Sequence, residues 1–206
     1  GLVGSEMCIR DRPIIRPFLS QLTLVQMPYL GKEEAVYKMG VRIGRAVQTL
    51  ELNSLIIAYY KPISAKELCT FLRGIFEGIE SRYQIQLKAY AHKPRKVPVY
   101  VWDLYQLVRE NFGKAVIIAT STRGDYITNI ADKLIGKIRE KRKVLILVGA
   151  HEGLPTGIFR FSDVTIDIAP SVTLPTEYAA ISSIIALISV LESRGFFEKF
   201  REKSRH

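Results

Sequence analysis

Three short segments, each following an apolar run, carry the residues best suited to hold a ligand. They are Ala119-Thr-Ser-Thr-Arg-Gly124, Val148-Gly-Ala-His-Glu-Gly-Leu-Pro155 and Ile168-Ala-Pro-Ser-Val-Thr-Leu-Pro175. Glycines and other small residues let a ligand come close to the main chain, where open peptide amides and carbonyls can read the edge of a heterocycle. Such a site suits a neutral ring between apolar walls better than a triphosphate. Taken singly, each segment reads as an ordinary strand-to-helix turn. Together, all in the C-terminal half, they point to a bound small molecule.

Other chemistries lack their residues. No G-x-G-x-x-G follows an apolar run, no G-x-x-x-x-G-K-[ST] occurs, and there is no G-x-S-x-G elbow. His151-Glu152 begins like a zinc-protease motif, but its fifth position is Pro155. Three histidines and two cysteines do not furnish a dedicated metal cage, so no metal is expected.

The elements that must position these segments alternate. Strands are expected at Gln21–Gln26, Ser54–Tyr60, Tyr83–Ala89, Ala115–Ala119, Val144–Val148 and Val164–Ile168. Helices are expected from Lys32 to about Leu50 and from a Ser64…Glu67 capping box through the stripe Leu68, Phe71, Leu72, Ile75, Phe76 and Ile79. Further helices are expected near Trp102–Asn111, over Ile127–Ile138 and over Pro175–Leu191, with an amphipathic segment after Gly195. Strands separated by helices imply crossover units, hence an α/β fold with a mostly parallel sheet and helices on both faces. The runs 54–60, 115–119 and 144–148 are the most apolar and should sit centrally.

A chain of 206 residues is room for one domain, expected at 13–206. Residues 1–12 resemble a translated sequencing-adapter fragment and read as an artefact or a disordered tip. Setting them aside leaves Cys69 as the lone cysteine, expected in the core of a chain from a reducing, cytoplasmic setting. No apolar run approaches bilayer length, so no membrane association is expected. Thirty Lys and Arg against twenty Asp and Glu give a net charge of +10, which points to a polyanionic partner, most simply nucleic acid. The cluster Arg82, Lys88, Lys93, Arg95 and Lys96, flanked by Tyr90, Tyr100 and Trp102, is the expected RNA surface. A second basic cluster spans residues 137–143, and a third, with Lys199, Arg201, Lys203 and Arg205, reads as an exposed helix face.

The segments Gly149-Ala-His-Glu-Gly-Leu-Pro155 and Pro170-Ser-Val-Thr-Leu-Pro-Thr-Glu-Tyr-Ala179, in that order around an expected strand, resemble the glycine loop and proline-containing segment of the SPOUT (α/β-knot) methyltransferases. Gly40-Val-Arg-Ile-Gly-Arg45 is similar to the helix bearing that family's arginine, and Ala119–Arg123 to its first cofactor loop. The wording Thr173-x-x-Thr-Glu-x-Ala179 is similar to a branch of RNA uridine methyltransferases and to archaeal knotted proteins. The asparagine common ahead of the arginine is absent, with Met39 six residues before Arg45, and Ser-Leu-Asn becomes Thr173-Leu174-Pro175.

The resemblance implies a C-terminal deep trefoil knot at about 113–192 and a homodimer with composite active sites. S-adenosylmethionine would be held by Thr120, Ser121, Leu147, Val148, Gly149, Glu152, Gly153, Leu154, Ile168, Ala169, Leu174 and Thr176. Methyl transfer would go to rRNA or tRNA, with Arg45 and Glu177 in catalytic roles and Arg123, Lys93, Arg95 and Lys96 on the RNA. His151 is a further candidate for proton transfer. A knotted RNA-binding or ribosome-assembly factor without turnover is the alternative.

Overall fold

Short, nearly continuous apolar runs bury both faces of a parallel sheet, and this chain supplies five of them. The computed structural model describes residues 15–198. The expectations for residues 1–12 and for Lys199, Arg201, Lys203 and Arg205 lie outside the described residues. After a short helix α1 (Arg16–Leu19), the strands are β1 (Leu22–Gln26), β2 (Ser54–Tyr59), β3 (Val99–Asp103), β4 (Val116–Tyr126), β5 (Val144–Val148) and β6 (Val164–Asp167). They form one sheet in the order β3-β2-β1-β5-β4-β6, and every pair is parallel.

The helices are α2 (Glu33–Thr49), α3 (Ala65–Ala89), α4 (Leu104–Asn111), α5 (Ala131–Lys141) and α6 (Thr176–Ser193), with a 3₁₀ turn at Thr156–Phe161. One sheet face is covered by α1, α2, α5 and α6, through Phe18, Ile43, Leu134 and Leu187. The other carries α4 and the 3₁₀ turn, through Leu107 and Ile158. Runs 54–60, 115–119 and 144–148 are all interior, and β1 joins β5 at the centre.

Five expectations are corrected. Residues 83–89 are the end of α3, not a strand. Ile85 and Leu87 are exposed there, and the residue turned inward is Gln86. Its amide oxygen accepts from Gln48 at 2.8 Å and its own amide donates to the Gln48 carbonyl at 2.9 Å. Gln48 also donates to the Arg95 carbonyl and accepts from the Val97 amide, so this buried pair is well satisfied. The missing strand is β3, where a helix was expected to begin. Pro98 precedes this edge strand, and Asp103 then caps α4 by accepting from the Gln106 amide at 2.8 Å. Ser64 stands at the N-cap of α3 without a side-chain cap bond. Cys69 is exposed, because α3 turns a different face inward. Finally, α6 is long and apolar enough to cross a membrane by length and composition alone, against the expectation that no segment is. In this fold it packs on α2, α5 and β5.

Where α3 crosses α2, its closest contacts are made at glycine. Gly74 and Gly78 meet Gly40 and Gly44 of α2 so closely that a Cβ on Gly44 would lie 2.2 Å from the Ile75 carbonyl oxygen. A Cβ on Gly74 would lie 2.2 Å from that of Tyr37. Gly44→Ala must push the helices apart and is expected to cost roughly 1–3 kcal/mol or more in urea unfolding. Gly136 of α5 has nothing within 4 Å, and Gly136→Ala should add roughly 0.5–1 kcal/mol.

At the N-terminal edge of the sheet, Asp163 accepts from the Ile117 amide, Lys137 and Lys141 at 3.0, 2.9 and 3.0 Å. Burial alone would raise its carboxyl pKa, but these donors outweigh it and hold the group below the usual carboxylate range. A depressed folded-state pKa contributes stability above the unfolded value that is lost on acidification. Asp163→Asn should therefore destabilise at neutral pH, with the gap to wild type narrowing below about pH 4.

Candidate functional site

The parallel sheet ends β4, β5 and β6 on one edge, and the three sequence segments meet there around a cavity of about 460 Å³. That volume is in the range of small-molecule sites. β4 supplies its wall through an irregularity. The strand pairs with β6 at Thr120↔Ile166 and again at Asp125↔Ile166, so residues 121–124 loop out between. Gly124 is required at the return, where a Cβ would lie 2.6 Å from the Ile166 backbone. Thr120 donates to the Leu147 carbonyl at 2.9 Å, tying β4 to β5 just below the opening.

After β5, the chain doubles back at once: the Gly153 amide donates to the Ala150 carbonyl at 3.0 Å. A Cβ on Gly149 would lie 2.5 Å from the Gly153 carbonyl carbon, and Gly153 has a φ of 82°. From the centre of the sheet, Gln26 reaches under this turn. Its amide donates to the carbonyls of Met27 and Gly149 at 3.0 and 3.3 Å. The third wall is the segment after β6, closed by Ala179 and Ser183 of α6.

Eleven of the twelve residues expected to hold the cofactor line this cavity: Thr120, Ser121, Val148, Gly149, Glu152, Gly153, Leu154, Ile168, Ala169, Leu174 and Thr176. Leu147 does not. Its side chain packs in the core with Leu145 and Ile158, and only its carbonyl reaches the site. Arg123 lines the cavity and an adjoining polar groove that runs along Gly124–Tyr126, Asn129 and Ser171. Asp167, which the sequence reading passed over, lines both; it is 6% exposed and accepts from the Ala169 amide at 3.0 Å. A carboxylate closing a strand beside a proline-containing loop was the available signal.

The remaining expected residues lie elsewhere. Glu177 accepts from Arg42 of α2 at 2.9 Å. Arg45 is exposed on α2 and donates to Ser81 at 3.3 Å, outside both hollows. Lys93, Arg95 and Lys96 belong to the loop before β3, at the opposite edge of the sheet. There Arg95 donates to the Leu52 and Asn53 carbonyls at 2.9 and 3.1 Å. Lys96 pairs with Glu80 and lies 4.8 Å over the Tyr83 ring. Among the described residues no cluster of three or more His, Cys, Asp or Glu is placed to hold a metal.

A family model described as AF2226-like SPOUT RNA methylase fused to THUMP matches residues 16–206. The chain belongs to this SPOUT family. It is 39% identical over 195 residues to the uncharacterized protein MJ0421 of Methanocaldococcus jannaschii, covering 94% of this chain and 54% of that protein. It is 26% identical over 94 residues to a tRNA (guanine-N(1)-)-methyltransferase of Aquifex aeolicus, covering 46% of this chain and 35% of that one. The chain thus spans about half the length, or less, of these curated relatives. Among solved structures, the TrmH/SpoU tRNA modifying enzyme of A. aeolicus shares the fold. It aligns with a TM-score of 0.56 at 16% identity, covering 96% of this chain and 88% of that one. The SpoU methyltransferase AviRb of Streptomyces viridochromogenes, solved in complex with AdoMet, aligns with a TM-score of 0.53 at 14% identity, covering 85% and 58%.

The glycine turn after β5 is the most sterically exacting part of the site. Gly149→Ala should open it, speeding hydrogen exchange of the Gly153 amide by about tenfold or more while the central strands stay protected.

Proposed function

We propose that the chain is an S-adenosylmethionine-dependent RNA methyltransferase. The observation that carries this is the convergence of three strand-end loops on one cavity in a chain of the SPOUT family. The residues fit the cofactor. Gly149 and Gly153 bring main-chain groups up to the space, Leu154, Leu174 and Ile168 supply apolar walls, and Asp167 offers a buried carboxylate near a cationic ligand. When bound, S-adenosylmethionine supplies an activated methyl group, so the cofactor carries the demanding chemistry. The protein's part is orientation, exclusion of water and acceptance of a proton where the acceptor carries one. Asp167, Glu152 and His151 are the titratable groups that line the cavity with Arg123. Arg123, between cavity and polar groove, is assigned to an RNA phosphate. Lys93, at the far sheet edge, is reserved for longer RNA.

We also assign the knot. α6 packs on β5 and α2, while the strand before it, β6, is at the sheet edge beyond β4. The β6–α6 connection must therefore cross the β4–α5 connection at the same end of the sheet. Passing it inside, through the loop, gives the trefoil and breaks the usual rule against threading. A homodimer is assigned through α6, whose Tyr178 and Ile185 are 57% and 48% exposed. Arg45 would then serve the active site of the second copy.

Titration calorimetry should give saturable binding of S-adenosylmethionine, and radiolabelled methyl groups should pass to total RNA but not to total protein. No binding at millimolar cofactor would sink the enzyme reading and favour the RNA-binding factor without turnover. Two observations favour that second reading: Arg45 stands outside the cavity, and Glu177 is occupied by Arg42.

A further inference from the structure

On the side of the cavity nearest β1, a lining residue, His151, is backed by a second ring. Tyr29, in the turn after β1, stacks on His151 with 4.4 Å between ring centroids and 27° between planes. The ring is also tied down at its edge, with His151 Nε2 and the Leu30 carbonyl 2.8 Å apart. Tyr29 packs against the apolar core, so the platform has a fixed base. His151 itself belongs to neither core cluster; it is exposed and lines the cavity. Tyr29 thus covers one face of the imidazole, and the exposed remainder of the side chain stands beside the cavity. The backbone there has a φ of 45°, a left-handed conformation that a residue with a side chain adopts at a cost. One strand further along the same edge, Lys61 Nζ lies 5.0 Å over the Tyr60 ring.

We propose that the His151 ring, backed by Tyr29, seats an unstacked base of single-stranded RNA, with Lys61 meeting the adjoining phosphate. The inference deepens the methyltransferase reading and rests on it. A base taken out of its own stack loses contacts that an aromatic plane restores, and every base has such a face to offer. The position is apt. The platform lies on the β1 side of the cavity and the Arg123 groove on the β4 and β6 side, so a strand crossing from one to the other passes over the opening. A base seated on His151 stands beside the space assigned to the methyl donor.

The test uses the full chain, a short unstructured fluorescein-labelled RNA read by anisotropy across a salt series, and calorimetry with S-adenosylmethionine. His151→Asn keeps a residue that tolerates left-handed backbone but removes the ring. Tyr29→Leu keeps the apolar packing, and Tyr29→Phe keeps the stack. His151→Asn and Tyr29→Leu should each weaken RNA binding about 5- to 100-fold with little change in salt slope, because both leave Lys61 and Arg123 in place. Tyr29→Phe should retain wild-type RNA affinity. In Tyr29→Leu, which leaves the cavity lining intact, S-adenosylmethionine affinity should stay within about twofold of wild type. RNA affinity equal to wild type in both His151→Asn and Tyr29→Leu would overturn the platform and leave the methyltransferase reading standing. A wild-type chain that binds the cofactor but no RNA would overturn both.

Discussion

Parallel pairing of β5, β4 and β6 is the constraint from which the site follows. With all three strands running the same way, their C-terminal ends fall on one edge of the sheet, and whatever follows each strand is delivered there. The loops need not search for one another. What remains is to shape them, and each is shaped by main-chain geometry: a strand irregularity before Gly124, a reversal closed between Ala150 and Gly153, and a proline-bounded segment entering α6. Gln26 shows how tightly the edge is joined, since one buried amide holds the end of β1 to the end of β5. A cavity made in this way presents peptide groups and small side chains, the surface a flat heterocycle requires.

Legibility followed physical cause. The interior strands could be read because burial on both faces leaves little choice but Val, Ile, Leu and Ala, and the three loops around the cavity could be placed because they begin where those runs stop. β3 was hidden because an edge strand such as Val99–Asp103 is half exposed and merges without a break into the helix capped by Asp103. The last turns of α3 misled for the opposite reason. Tyr83, Ile85 and Leu87 alternate as strand residues do, yet the inward position is Gln86, whose partner Gln48 lies 38 residues earlier. No local pattern announces a buried amide pair between distant helices.

Charge was the least transferable signal. The +10 balance suggests a class of partner but does not pick out a surface. Arg95 and Lys96, drawn together in sequence with aromatic neighbours, hold a loop against the start of β2 and the side of α3. Arg123, an isolated basic residue in a turn, stands at the mouth of the cavity. Tyr29 and His151 are 122 residues apart and meet only because β1 and β5 are neighbours at the centre of the sheet.

The seam between α2 and α3 has a consequence for motion. Its contacts run from backbone to backbone, with Gly40 and Gly44 seated against Gly74 and Gly78 and no side chain between to yield. Because the seats recur every four residues on both helices, sliding by one turn would leave a glycine at one crossing and drive a bulky residue into the other. The pair therefore works as a vernier with a single matching position. α3 is a fixed outrigger, and what hangs from its far end, the loop leading into β3, is carried at a set height above the sheet edge.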